Sequence, residues 1–343
     1  MTQKKTIVVS GCCGTIGHAL LQSLATLPQY TEVLGIDNNE SGLFSLEQEF
    51  RGKFRFAFGD IRDGQRLKVL FEGADVVLHT AALKHVPSCE LAPSEAIKTN
   101  ILGVSNVIEA ARNARVERVL FTSSDKAVNP TNVMGTSKLM GERLMSAAQA
   151  SARRHETGIF FSTRFGNVLG SHGSVFPLFQ QQIAKGGPVT LTDPDMTRFV
   201  MSTRDAVSLV LESLELAQGG EVFVSKMRAL RIADLAAVMI DCLAPRYGLR
   251  PEDIAVNVIG SKPGEKLYEE LLTEEESHRS LQLANFYVIL PAFLDLYGVE
   301  YTYETAQPHE KGQIYRSHEQ SLLSQEEIAA YLRESGLLPD GGA

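Results

Sequence analysis

The run TSSDKAVNPTNVMGTSK, residues 122–138, places Ser124, Asp125 and Lys126 side by side, and Met134 and Lys138 further on. A carboxylate next to an ammonium group can move protons in both directions, one group acting as acid and the other as base. Ser124 can hydrogen-bond a substrate hydroxyl. Lys138 follows Met134 by four residues, so on a helix the two lie on one face, a turn apart. A thioether neither gives nor takes a proton, so proton transfer here falls to the neighbours of Met134. Asp125 followed by Asn129 and Pro130 is also compatible with turn chemistry alone.

A second constellation lies near the start. VVSGCCGTIGHAL sets Gly11, Gly14 and Gly17 at G-x-x-G-x-x-G spacing, directly after a β-branched run and at the opening of a helical one. Such glycines allow a tight turn and close approach of backbone to a pyrophosphate, which rests on the first N–H groups of the helix, here those of Thr15 and Ile16. Asp37, at the end of the next strand in LGIDNNE, has the spacing of a carboxylate that accepts from adenosine ribose hydroxyls, with Asn38 beside it. A 2′-phosphate would be repelled there, which favours NAD over NADP. GDIRD offers Asp60 and Ile61 to the adenine edge, and HTAAL is expected to pass the backbone of Ala81 and Ala82 under the cofactor.

These residues need strands to present them. TIVVS (6–10), EVLGID (32–37), FRFAFGD (54–60), DVVLHTA (75–81) and RVLFTSS (118–124) are short, apolar and β-rich, and amphipathic stretches such as SEAIKTNILGVSNVIEAARNA alternate with them. Alternating strand and helix implies an α/β fold, a Rossmann-like doubly wound parallel sheet. After residue 165 the chain turns to Gly- and Pro-punctuated segments, which predicts a smaller mixed α/β C-terminal part for substrate. The expected division is 1–165 for the NAD-binding domain, with about 204–225 packing back on it, and 166–343 mainly for substrate and the tail.

Composition excludes several classes. Of 343 residues, 33 are basic and 41 acidic, a formal charge of −8 without any Lys/Arg cluster, which argues against nucleic acid or an anionic membrane as partner. No 18-residue apolar run or signal-peptide pattern is present, so a cytoplasmic protein is expected. The adjacent Cys12 and Cys13 and the isolated Cys89 and Cys242 match neither a disulfide framework nor a zinc spacing, and no metal site is expected. Cys12 and Cys13 read as small residues filling the glycine turn.

The stretches AALKHVP (81–87), EAIKTNILG (95–103), SSDKAVNPTNVMGTSK (123–138), RFGNVLGSHGSV (164–175), TDPDMTRF (192–199) and KPGEKLYEELL (262–272) resemble the UDP-N-acetylglucosamine 4,6-dehydratases of the extended short-chain dehydrogenase superfamily, over nearly the whole chain. Members occur with tyrosine or with methionine at the place of Met134, the latter group including capsule, O-antigen and glycan enzymes. The resemblance implies oxidation at C4 of UDP-N-acetylglucosamine, loss of water across C5 and C6, and hydride return to C6, with tightly bound NAD regenerated each cycle. It implies Asp125 as acid at C6, Lys126 as base at C5, and Lys138 on the nicotinamide ribose. Ser124 would relay the C4 hydroxyl proton toward Lys138. Lys84 and Asn100 join the cofactor set. Lys84, His85, Asn167, Val175, Thr190, Thr192, Arg198 and Glu265 join the substrate set, with Asn167 and Arg198 toward the diphosphate, Thr190 toward uracil, and Lys266 beside Glu265. Family members commonly self-associate, which implies a homo-oligomer.

Three alternatives stand beside this reading. A 5-inverting dehydratase differs only in the product's C5 configuration, and DNNE together with SSDKAVNPTNVMG inclines to retention. A UDP-sugar 4-epimerase relies on a tyrosine to shuttle the C4 proton and needs no acid–base pair at C5 and C6. A non-catalytic NAD sensor would have no use for Asp125, Lys126 and Lys138 together.

Overall fold

The computed structural model describes residues 5–152, 158–171, 173–261, 263–296 and 300–339; His172 and Lys262 of the motifs above lie outside them. Contacts divide the chain into two compact units, the first Met1–Phe165, Val207–Ser225 and Thr273–Gln313, the second Gly166–Ala206, Lys226–Leu272 and Ile314–Ala343.

The first unit is built on a ten-stranded sheet. Its strands β1 (Lys5–Ser10), β2 (Tyr30–Asp37), β3 (Arg55–Phe58), β4 (Val76–His79), β5 (Arg118–Ser124) and β6 (Ile159–Phe165) run parallel in the order β3-β2-β1-β4-β5-β6, and Val222–Ser225 continues the parallel set. β4 is buried at every position, VVLH, which is why it reads as an unbroken apolar run. The connections reverse direction between β1 and β4, and the crevice beyond the carboxyl ends of these strands is where open α/β sheets place their ligands. One face is closed by a core that joins Val8, Ile36, Val77 and Val119 to Phe71, Val104, Val107 and Ala111 of the helical layer.

Residues 273–313, assigned to the second part on sequence, belong to the first unit. Phe286–Ile289 pairs antiparallel with Val222–Ser225, and Ser280–Gln282 and Gln307–Pro308 extend the sheet beyond it. An ionic cluster anchors this extension. Arg164 of β6, with no exposed surface, donates two bonds to the carboxylate of Glu142, at 3.0 and 2.7 Å, and two to that of Glu276, both at 3.0 Å. Glu276 also closes a capping box with Thr273 at the start of the extension. Burial pushes its carboxyl up, but the Arg164 charge prevails and holds it at about 2.

The second unit has a three-stranded sheet in which Thr197–Met201 lies between Arg228–Arg231 and Asn167–Val168, a parallel pair of Val189–Leu191 with Val256–Val258, and an antiparallel pair of Glu270–Leu272 with Tyr315–Arg316. The helices Val175–Ala184, Ile232–Leu243 and Gln325–Glu334 contribute Phe179, Leu235, Met239 and Leu332 to its core.

Candidate active site

β1 ends in the glycine turn. Gly11 has φ +79, and a Cβ on it would lie 2.5 Å from the Ala81 nitrogen, so the turn and the segment after β4 touch backbone to backbone. Gly17 is equally confined, because a Cβ there would lie 2.2 Å from the Gly11 carbonyl oxygen. The helix α1 (Thr15–Leu24) then starts on Gly14, which supplies no side chain to cap its first N–H groups. The start of a helix is where an anion cradle would be built, with Thr15 and Ile16 in its first turn. Ala81 and Ala82 are half-buried beside them.

Asp37 closes β2. Its carboxylate accepts from the Cys13 and Asn39 N–H groups, both at 3.0 Å, so the acid expected at the ribose is oriented by backbone. Asn38 donates to Asp60 at 3.3 Å. Asp60 is engaged by Arg62, with a closest approach of 2.6 Å, and that hydrogen bonding holds its carboxyl at about 2. The Ile61 side chain is buried in the helical core against Gly103, and its carbonyl accepts from Asn106 at 3.0 Å.

β5 delivers the catalytic candidates. Ser124 caps a turn of 3₁₀ helix, Asp125–Ala127, and donates to Asp125 Oδ1 at 2.6 Å. Asp125 is 1% exposed, accepts the Lys126 N–H at 2.9 Å, and has Lys126 Nζ 3.1 Å away. Three groups able to pass protons thus touch in sequence, with Lys126 more open than Asp125.

The helix Val133–Ala152 carries the other two. Lys138 is buried, donates to the Thr122 carbonyl at 2.9 Å and sits over the Phe121 ring, 4.7 Å from its centre. Burial lowers its ammonium to about 8, partly offset by Glu142. Met134 is 4% exposed and packs with Cys89 and Ala96, flanked by Val86 and Val133. Its backbone carbonyl accepts from Ser137 Oγ at 2.7 Å, and Ser137 accepts from Asn100 Nδ2 at 2.9 Å. Asn100, in a stretch of π-helix (Ile97–Leu102), also holds both backbone groups of Leu83 at 2.8 and 2.9 Å, which fixes the start of LKHVP. Lys84 and His85 are exposed there, and His85 begins the helix Val86–Leu91.

The remaining expected substrate residues lie in the second unit. Asn167 pairs with Val200 in the three-stranded sheet, Val175 opens its helix, and Thr192 follows the strand Val189–Leu191. Thr190 is engaged through both N–H and hydroxyl by the Gln182 side chain, at 3.0 and 2.8 Å. Arg198, expected at a phosphate, is 6% exposed and donates to the carbonyls of Thr197, Leu267 and Lys266 at 2.8, 3.2 and 2.8 Å, with Glu265 at 3.9 Å. A buried guanidinium must satisfy its five donors, and the loop at 265–269 supplies the acceptors.

Several residues escaped the sequence reading. Glu142, one turn after Lys138, also accepts from Ser123 Oγ at 2.5 Å and so ties the end of β5 to Arg164. Its signal was an acid on the buried face of an amphipathic helix. His79 ends β4 fully buried, its Nδ1 2.7 Å from Ser10 Oγ; burial and Lys138 push its imidazolium down to about 3.

The model of a family described as polysaccharide biosynthesis protein matches residues 7–291. The chain belongs to that family. Among similar proteins, an uncharacterized membrane protein of Methanocaldococcus jannaschii is 48% identical over 336 residues, covering 97% of each chain. A UDP-glucose 4-epimerase of Rickettsia canadensis is 36% identical, covering 96% of this chain and 95% of its own. Among solved structures, Pen from Bacillus thuringiensis superposes with a TM-score of 0.90 at 39% identity, covering 98% of this chain and 99% of its own. Although one relative is called a membrane protein, no helix among the described residues of this family member is long and apolar enough to cross a membrane. The family is described by polysaccharide biosynthesis, and one of these relatives carries the name of a nucleotide-sugar epimerase.

Proposed function

We propose that this protein is a UDP-N-acetylglucosamine 4,6-dehydratase that works with bound NAD. The observation that carries the reading is the contact chain Ser124, Asp125 and Lys126 at the end of β5, beside a Met134 that is packed away as an apolar side chain.

The cofactor fits the residues present. Gly11 leaves room where a Cβ would collide, α1 starts uncapped, and Asp37 is oriented at the end of β2. Bound NAD supplies a hydride acceptor for C4 that later serves as donor to C6. The chain's own residues handle the protons. Ser124 orients the C4 hydroxyl and passes its proton toward Lys138, whose lowered affinity for protons lets it accept near neutral pH. Proton transfer across the 3.1 Å between Lys126 and Asp125 converts the ion pair into a neutral amine and a carboxylic acid. The amine removes the C5 proton and the acid protonates the departing C6 hydroxyl, which leaves Lys126 as the ammonium and Asp125 as the carboxylate; as hydride returned to C6, the Lys126 ammonium would give its proton back to C5, and the proton taken up by Lys138 would balance the one lost in water. In the second unit Asn167, Thr190, Thr192 and Val175 are proposed to meet the nucleotide, with Arg198 and Glu265 holding the loop that frames it.

The epimerase reading has one observation in its favour, a relative so named at 36% identity. Incubation with UDP-N-acetylglucosamine followed by mass spectrometry separates the two. A product lighter by one water supports the dehydratase, and a product of unchanged mass with inverted C4 refutes it. Proton NMR of the same product reads its C5 configuration, expected to be retained.

A further inference from the structure

The glycine turn holds two adjacent thiols that the reaction does not use. Cys12 Sγ, Cys13 Sγ and a carboxylate oxygen of Asp37 all lie within 4.8 Å of one another. Two glycines make the space for the sulfurs: a Cβ on Gly35 of β2 would lie 3.0 Å from Cys12 Sγ, and one on Gly42, in the helix Glu40–Glu49, would lie 2.8 Å from Cys13 Sγ. The carboxylate is already fixed by the Cys13 and Asn39 N–H groups, the outer support that a metal-binding side chain needs. Cys12 is buried and Cys13 partly open, so one sulfur is held in the fold and the other can adjust from the solvent side.

We propose that Cys12, Cys13 and Asp37 form a three-ligand site for a thiophilic divalent cation of the zinc class, and that this cation and the cofactor exclude one another because both use Asp37. Two sulfurs with one carboxylate select a soft or borderline metal over magnesium or calcium. Zinc takes sulfur at about 2.3 Å and carboxylate oxygen at about 2.0–2.2 Å, so the three atoms need to close by about 1 Å around the ion, leaving a fourth position for water. A thiol binds such a cation as thiolate, so binding displaces both thiol protons into solvent. Sequence spacing concealed the site because its third ligand lies on the next strand. The mutual exclusion rests on Asp37 as the ribose ligand of the proposed function; the metal site does not.

Cadmium is the probe, since its thiolate complexes absorb in the near ultraviolet. Full-length protein freed of nucleotide on charcoal, kept reduced, is titrated with cadmium. The expected result is a charge-transfer band that saturates at one cadmium per chain, persists in Cys242→Ser, disappears in Cys12→Ser and Cys13→Ser, and needs at least about tenfold more metal in Asp37→Asn. If Cys12→Ser fails to fold, Cys13→Ser and Asp37→Asn decide. No band, or a band unchanged in these variants, overturns the site. Added NAD should abolish the band in proportion to its binding. A full band in NAD-saturated protein would leave the metal site standing and refute both the exclusion and the role of Asp37 at the ribose.

Discussion

Replacing Met134 with alanine separates packing from chemistry. The side chain is 4% exposed and touches a small cluster, Cys89 and Ala96 with Val86 and Val133 at its edge. Deleting a buried methionine side chain costs about 2–5 kcal/mol, and a cluster this small places the loss near 2–3 kcal/mol, since few partners lose contacts. The melting temperature should therefore fall by several degrees, at roughly 2–4 °C per kcal/mol. Turnover of the folded, NAD-loaded variant should stay within a few-fold of wild type, because no proton donor has been removed. Lys126→Ala should lower turnover about 10²–10⁴-fold, together with some loss of melting temperature because buried Asp125 loses its ion-pair partner. Both are read from initial rates of dehydrated product by mass spectrometry, normalised to bound NAD, beside a thermal melt. A Met134→Ala rate loss as large as that of Lys126→Ala, in folded and loaded protein, would refute the assignment of proton transfer to Ser124, Asp125 and Lys126.

Other consequences are more local. Asp37→Ser should relax discrimination against NADP, measured as the ratio of dissociation constants of the two nucleotides; an unchanged ratio would place ribose recognition elsewhere. The His79 imidazole is pushed down to about 3 by burial and Lys138, so the folded protein refuses a proton that the unfolded chain accepts below about 6.5. Its contribution to stability is complete above pH 6.5 and is lost as pH falls toward 3, about 2 kcal/mol of it by pH 5, and His79→Gln should flatten this limb in urea titrations at the two pH values. Arg164→Met should cost about 3–5 kcal/mol in the same titration at neutral pH, because Glu142 and Glu276 would be left buried without their partner. A near-neutral effect would show that water reaches the cluster.

The central strands β4 and β5 were legible because they are buried on both faces and therefore read as apolar runs, while the edge strand β3 is exposed at both ends; RVLFTSS coincides with β5 residue for residue. The glycine turn was legible from spacing, since only glycine fits where Gly11 meets Ala81. What escaped were partnerships between distant residues. Nothing local in TDPDMTRF tells that the Arg198 donors are taken by carbonyls near residue 267, and a phosphate contact is the natural expectation for an arginine in that motif. Arg164, Glu142 and Glu276 are likewise unremarkable singly, and only the fold reveals that they bind residues 273–313 to the parallel sheet.

The claim that protons and hydride follow separate paths through this site is tested most directly with UDP-N-acetylglucosamine carrying deuterium on C4. In ordinary water the product should have lost one water and should carry that deuterium on C6, located by NMR, because the hydrogen removed from C4 is the one returned while Lys126 and Asp125 exchange only protons. A dehydrated product without the label on C6, or a product of unchanged composition with the label still on C4, would contradict the internal hydride return and with it the dehydratase cycle.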